Sequence, residues 1–398
     1  MVAAGPAGAQ PTVAERFTRG EPIDVELDHI ERAFADLWKA ASAAGDGAVS
    51  RAALWNIVVP TRAQDHARAR KMVDELAPLL PARVLVLVEE PEAAHGADAD
   101  RDEGVRATIE SNVVARSSGA RVVYSEEITL RGRRGDARFG ALVRALQVPG
   151  LPTATLWSDA TMPEGLLRRQ ILPETDRLVL DTGLCTRPRQ LLEVQRCAEL
   201  ASHDGLPVTD LGWLRLANFR LQFAGLFDAP VGGGPLLAAR RVTIRHRASD
   251  EPSALLLAAW LASTLGWLFA AAEPAAAGVV GPRFRFDRPA LSGGARAAAS
   301  PGGPVEIALF LSEGECGTSG IGALELETDD PAVRFTVTRT ERNHATLTSP
   351  IAPPRIVTFD SRRDAELFVT ALGPAGRDPL FARCLALAAR LATFTATT

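Results

Sequence analysis

The chain has 398 residues, 46% hydrophobic and 23% charged, which is enough apolar material for two domains with sizeable cores. A formal net charge of -4 at pH 7 leaves no Lys/Arg excess with which to track phosphates, and so argues against a nucleic-acid binder. The four cysteines, Cys185, Cys197, Cys316 and Cys384, and the six histidines show no zinc-ligand spacing. No metal site or disulfide framework is expected, and the thiols read as those of a reduced, cytoplasmic protein.

Residues 1–20 have neither a basic start nor an apolar run, so they read as a disordered tail and not a signal peptide. Residues 21–203 read as an α/β domain. Glu21 to Ala44 is expected as an amphipathic helix with Val25, Ile30, Phe34, Leu37 and Trp38 on its apolar side. Ala52 to Pro60 and Ala82 to Glu90 are runs apolar on both faces, with a helix from Arg62 to Ala77 between them. Such strands alternating with helices imply a mostly parallel, covered sheet. The pattern continues with Arg106 to Ala115, Ala120 to Leu130, helix Asp136 to Leu146, the extended Val148 to Trp157, helix Pro163 to Gln170, strand Arg177 to Asp181 and helix Arg187 to Ser202. The fold class expected is doubly wound.

Residues 204–235 read as a connecting helix and a Gly-rich hinge, Val231 to Pro235. Residues 236–398 read as an α+β domain of antiparallel strands with packed helices on one face. Its strands are Ala239 to Arg247, Val305 to Leu311, Ile321 to Thr328 and Val333 to Thr340, extended around Ala345 to Leu347 and Arg355 to Phe359. Between Gly278 and Pro304 only Val279–Val280 and Phe284/Phe286 suggest short strands. Ser312 to Gly322, around Cys316, reads as a turn. Ala254 to Ala272 is apolar over nearly the ~20 residues a bilayer needs. Acidic flanks, Ser263, Thr264 and Gly266 mark it instead as a buried core helix. Helices Arg362 to Leu372 and Pro379 to Thr393 close the chain.

The most informative stretch is Thr209 to Asp228, expected as one helix of about five turns, capped by Thr209 or Asp210. Apolar residues cover most of its circumference, and Asn218, Gln222 and Arg215 share a polar stripe. Arg220 falls inside the apolar arc, where a guanidinium needs a carboxylate, carbonyls or an aromatic face. Two readings stand: a buried or snorkelling Arg tying the helix to a neighbouring acidic residue, or Trp213, Arg215 and Arg220 together presenting a docking surface. A second candidate group lies at the strand ends, where open α/β sheets bind ligands. There Glu126, Glu127 and Asp181, with Trp157 as wall, line a possible crevice for a sugar phosphate or nucleotide. A solvated strand end with a helix cap accounts for the same acids.

Catalytic motifs are missing. The first strand is followed by Val59-Pro-Thr-Arg-Ala-Gln64 and not a Gly-x-Gly-x-x-Gly turn, and the chain has no Gly-Lys-Ser/Thr cradle, His-Glu-x-x-His or Gly-x-Ser-x-Gly. No cofactor and no enzymatic activity are expected.

Asp210-Leu-Gly-Trp-Leu-Arg-Leu-Ala-Asn-Phe-Arg220, followed by Leu226-Phe-Asp228, resembles the Asp-Leu-x-Trp-x-Arg-Leu…Trp-Arg…Leu-Phe-Asp signature of the glucose-6-phosphate dehydrogenase assembly protein (OpcA) family. Phe219 stands where members usually carry Trp. Leu54 to Val59, Pro81 to Leu87, Ser125 to Leu130, Val148 to Trp157 and Leu256 to Trp267 resemble further blocks in family order. The usual Pro-Asp-Leu-Pro reads Pro149-Gly-Leu-Pro152 here, and the usual paired Trp reads Trp157-Ser158. The resemblance implies a non-catalytic partner of glucose-6-phosphate dehydrogenase that promotes its active oligomer and tunes its activity in the oxidative pentose phosphate pathway. No nucleic acid, membrane or metal partner is implied. Some members are thought to relay thioredoxin signals through C-terminal cysteines, a switch not carried over here because Cys384 has no near neighbour in sequence.

Overall fold

A computed structural model describes residues 16–43, 49–50, 53–91, 104–115, 122–157, 166–203, 205–228, 231–273, 281–288, 303–359, 361–373 and 378–395. The chain divides into two compact units, 1–155 with 165–175, and 156–164 with 176–398. Residues 176–203, which the sequence groups with the first domain, thus count with the second.

The first unit contains β1 (Arg16–Arg19), β2 (Ile23–Val25), α1 (Ile30–Ala43), β3 (Val49–Ser50), β4 (Trp55–Arg62), α2 (His66–Leu76), β5 (Ala82–Glu90), β6 (Arg106–Ala115), β7 (Val122–Arg133), α3 (Arg138–Leu146), β8 (Thr153–Leu156) and α4 (Leu166–Ile171). The strands follow the order β1-β6-β7-β5-β4-β8. Its centre, β7-β5-β4-β8, is parallel, while β6 lies antiparallel to β7, and β1 and β2 antiparallel to β6. Ala82 to Val88 are all buried, as a strand covered on both faces requires. Ala69, Val73 and Leu76 on α2, and Phe139, Val143 and Leu146 on α3, are the buried stripes of amphipathic helices. The Asn56 side chain fastens the loop before β8, donating to the Val148 carbonyl at 3.1 Å and accepting from the Val148 N–H at 2.8 Å.

Two expectations need correction here. The helix expected from Glu21 begins only at Ile30, after strand β2 and a 3-10 turn at Leu27–His29, because Ile23 to Val25 find a partner strand in β6. Arg16 to Arg19, read as tail, pair with β6 as β1. Residues 1–15 lie outside the described residues, as do Val279–Val280 and the start of the helix expected from Pro163.

The second unit contains β9 (Arg177–Leu180), α5 (Gln190–His203), β10 (Val208–Asp210), α6 (Leu211–Arg215), α7 (Ala217–Gly225), α8 (Gly234–Leu237), β11 (Ala239–His246), α9 (Glu251–Leu265), β12 (Leu268–Glu273), β13 (Arg283–Asp287), β14 (Pro304–Leu311), β15 (Ile321–Thr328), β16 (Arg334–Glu341), β17 (His344–Ser349), β18 (Ala352–Thr358), α10 (Asp364–Ala371) and α11 (Pro379–Ala392). β9 and β10 pair in parallel. The large sheet runs β12-β13-β14-β11-β15-β16-β17-β18, antiparallel except for β11 with β14. Its strands alternate: Val242, Ile244, Leu324, Leu326, Phe335 and Val337 are buried on one face, and Arg241, Thr243, Arg245, Glu325 and Glu327 lie on the other, with Ala308, Phe310 and Ala323 among them. Pro252 to Ala262 of α9 are buried throughout, with β11 beneath and α11 alongside.

The apolar run Ala254 to Ala272 is therefore not one helix. Gly266, in the left-handed conformation at φ 68°, ends α9, and the remaining apolar residues enter the sheet as β12. No described helix is long and apolar enough to cross a membrane.

Candidate functional site

The stretch Thr209 to Asp228 is likewise not a single helix. Thr209 belongs to β10, α6 spans only Leu211–Arg215, Leu216 breaks the run, and α7 follows. At the start of α6 lies a buried polar knot.

Asp210 sits at its centre, 0% exposed. One carboxylate oxygen accepts from the Trp213 N–H at 2.6 Å, capping α6, and from the Thr182 hydroxyl at 2.7 Å; the other accepts from the Thr182 N–H at 2.7 Å. Burial, with Asp181 adding repulsion, pushes the Asp210 carboxyl up to about 6, against the pull of these hydrogen bonds.

Asp181 lies at the end of β9 and receives both terminal nitrogens of Arg215, at 2.5 and 2.9 Å, and the Gly183 N–H at 3.0 Å. Arg215 also donates to Asp364, the first residue of α10, at 2.8 and 3.1 Å. Burial acts to lower the Arg215 pKa, but Asp181 and Asp364 outweigh it and hold the guanidinium above its ordinary value. Two glycines make the close approach possible. A Cβ on Gly212 would collide with the Thr182 hydroxyl and stand 2.9 Å from the Gly183 nitrogen, and one on Gly183 would meet the Arg215 guanidinium.

Trp213 is 3% exposed. Its indole N–H donates at 3.1 Å to Asp378, whose other oxygen caps α11 through the Leu380 and Phe381 N–H groups. The Trp213 ring meets Phe381 at 5.7 Å between centroids. Arg220 lies over the Trp213 ring: its guanidinium carbon is 3.4 Å from the ring centroid, and it donates to the Trp213 carbonyl at 3.1 Å. Of the partners the sequence allows, Arg220 thus takes a carbonyl and an aromatic face. Burial lowers its pKa to about 10. The exposed side of α7 is not the Asn218–Gln222 stripe but Leu221, at 67%, and Ala224.

The crevice candidates do not converge. Glu126 and Glu127 lie in the middle of β7, not at its end, and both are buried in the first unit. Glu126 pairs at 2.6 Å with Arg83, which also reaches Glu31 and the Leu146 carbonyl; Glu127 pairs at 2.7 Å with Arg70, which also reaches Glu110. Burial works to lower the Arg83 pKa and is overruled by Glu31 and Glu126. Trp157, 6% exposed, donates its backbone N–H to Val179 at 2.8 Å in the second unit. Only Asp181 keeps its strand-end place, and it is occupied by Arg215. Among the described residues no group of His, Cys, Asp and Glu has the arrangement to hold a metal. Burial raises the thiol pKa of Cys185, and that of Cys384 to about 11.

Thr182, Asp364, Asp378, Gly183 and Gly212 were not singled out by sequence reasoning. Asp364 and Asp378 each stand at a helix start, a signal that marks a cap but not its distant partner.

Residues 73–196 match the family described as the glucose-6-phosphate dehydrogenase subunit N-terminal domain, and residues 206–385 the one described as its C-terminal domain. A protein of Nostoc punctiforme bearing the name OxPP cycle protein OpcA is 28% identical over 200 residues, 50% of this chain and 40% of its own. Another of that name from Synechococcus elongatus is 29% identical over 155 residues, 39% of this chain and 34% of its own. The chain thus spans well under half the length of these curated relatives. Among solved structures, the 3-ketoreductase KijD10 of Actinomadura kijaniata aligns over 86% of this chain and 98% of its own at 12% identity and a TM-score of 0.47, too low to bear on function. With the two family matches in order along most of its length, the chain belongs to the OpcA family of glucose-6-phosphate dehydrogenase assembly proteins.

Proposed function

We propose that this protein is a non-catalytic assembly factor that binds glucose-6-phosphate dehydrogenase and activates it allosterically, by protein–protein contact, in the cytoplasm. The observation that carries the reading is the ordered pair of family matches over residues 73–196 and 206–385. The missing nucleotide and nucleophile motifs support the non-catalytic part. To activate, the protein must bind the active conformation or oligomer of the enzyme more tightly than the inactive one, since only differential affinity shifts a population. A coupling of about 1–3 kcal/mol, roughly 5- to 150-fold, is the usual scale.

In this reading Trp213, Arg215 and Arg220 serve the contact from beneath. Their pairings with Asp378, Asp181 and Asp364 favour a role in holding α6, α10 and α11 as one block, and Leu221, exposed on the adjoining α7, is the side chain offered to the enzyme.

The test is size-exclusion chromatography with light scattering on the protein mixed with its own organism's glucose-6-phosphate dehydrogenase, with activity assayed across the same fractions. Co-elution with a changed substrate dependence is the expected result. Separate elution and unchanged kinetics with both proteins at micromolar concentration overturn the proposal.

A further inference from the structure

Among the described helices, α9 packs on β11 and β14 and α7 on β16, and on the face opposite the buried Val242, Ile244, Leu324 and Leu326 the side chains of Arg241 and Arg334 are half exposed. Residues directly opposite one another in the strand register share a face. One row on that face reads, strand by strand, Arg285 on β13, Glu306 on β14, Arg241 on β11, Glu327 on β15 and Arg334 on β16. The signs alternate across five neighbouring strands. Within the sheet Arg241 reaches Glu306 at 3.1 Å and Arg334 reaches Glu327 at 2.6 Å, with Arg241 and Arg334 half exposed. Ile356, on the same face through its register with Thr346, is 72% exposed.

We propose that this face is the interface with a second copy of the chain, the two sheets packing face to face about a two-fold axis. The axis would run along the strands between β11 and β15, the centre of the eight-strand order. A two-fold contact brings one patch against itself, so a strand on one side of the axis meets the strand equally far on the other side in the second copy. Here β11 meets β15 and β14 meets β16. Arg241 then stands opposite Glu327 of the second copy, and Glu306 opposite Arg334 of the second copy, twice over. An axis moved by half a strand spacing, onto β11 or β15, would set like charges against each other. The charge row is therefore its own complement at the one axis that also centres the sheet.

The size fits as well. Eight strands about 4.8 Å apart and about 23 Å long present roughly 900 Å², close to the roughly 800 Å² each partner contributes to a standard interface. Paired sheets keep their strands within about 30° of one another, which the twist of each sheet allows around such an axis. This inference stands apart from the dehydrogenase partnership, and either can fail without the other.

The test has two readouts on the full chain. Sedimentation equilibrium at micromolar concentration is expected to give two copies per particle. In the double variant Glu306→Cys, Arg334→Cys the two thiols are three strands apart in one sheet, about 14 Å, too far for a bond within a chain. Mild oxidation is expected to give a covalent dimer from the double variant and none from either single variant, the native cysteines being buried. A monomer up to tens of micromolar overturns the proposal, as does a non-covalent dimer whose double variant fails to crosslink. A chain that is monomeric alone but gains hydrogen-exchange protection on β11, β15 and β16 when mixed with glucose-6-phosphate dehydrogenase gives the face to that enzyme and also overturns it.

Discussion

The Arg220 guanidinium carbon lies over the Trp213 ring, 3.4 Å from its centroid, and the side chain donates to the backbone carbonyl of the same tryptophan. Seven residues apart in sequence, the two lie on one face of the helical path, which stays right-handed through Leu216, with the Arg220 N–H donating to the Leu216 carbonyl at 3.1 Å. A desolvated cation–π contact and one hydrogen bond together contribute on the order of 2 kcal/mol. Arg220→Ala is expected to lower the stability of the second unit by about that amount in calorimetric unfolding. Arg220→Lys, which keeps the charge but loses the planar stacking, is expected to recover less than half. A folded Arg220→Ala protein of native stability that no longer binds the dehydrogenase would show that this side chain serves the partner and not the fold.

The two carboxylates on Arg215 have unequal weight. The Asp181 side chain is 7% exposed and accepts two hydrogen bonds from the guanidinium, whereas that of Asp364 is 53% exposed. Removing one partner of a buried ion pair leaves the other charge stranded and costs about 3–5 kcal/mol; an exposed partner contributes about 0–1 kcal/mol. Asp181→Ala is therefore expected to cost several times more than Asp364→Ala in urea unfolding monitored by tryptophan fluorescence. Equal costs would mean that Arg215 is held mainly from α10.

How much of this was legible depended on the range of the interactions. The strand Ala82–Glu90 was readable to the residue, because its centre, Val84 to Val88, is buried on both faces and writes itself as an unbroken apolar run. The helix–strand switch at Gly266 was not, because α9 and β12 are both apolar and only the left-handed conformation of one glycine separates them. Glu126 and Glu127 read as strand-end acids because their partners, Arg83 and Arg70, are 43 and 57 positions away in the chain. Arg215 was flagged as polar and Arg220 as misplaced, but Asp364, 149 residues on, left no local sign of its role.

Asp210 gives the knot a pH dependence. Its carboxyl is moved from 3.8 up to about 6, first by burial and then by Asp181. With the folded value above the unfolded one, the folded chain holds a proton between about pH 4 and about pH 6 that the unfolded chain has released. The group's contribution to stability is therefore fully present below about pH 4 and is lost as the pH rises through about 6. Asp210→Asn cannot titrate and also lacks the second acceptor oxygen for the Trp213 N–H, a cap worth about 1 kcal/mol. Its melting-temperature deficit against the native protein is expected to be present at pH 7 and to grow as the pH falls to about 5. A deficit constant over that range would mean that the three hydrogen bonds keep Asp210 ionised throughout.

Leu221 separates holding the fold from touching the partner. It is 67% exposed on α7, one residue past Arg220, and lies outside the network of Asp181, Asp210, Arg215 and Asp378. Substitutions at such positions usually change stability by no more than about 0.5 kcal/mol. Leu221→Asp is expected to melt with the native protein while weakening dehydrogenase binding about tenfold, or about 1.4 kcal/mol, as read by titration calorimetry. Gly212→Ala is expected to do the reverse at permissive temperature, since its added methyl group presses on Thr182 and Gly183 beneath the surface and lowers stability before it alters any exposed contact. If Leu221→Asp binds with native affinity, the contact lies elsewhere than α7, and the buried signature residues would then have to act through α10 or α11, the other helices they hold.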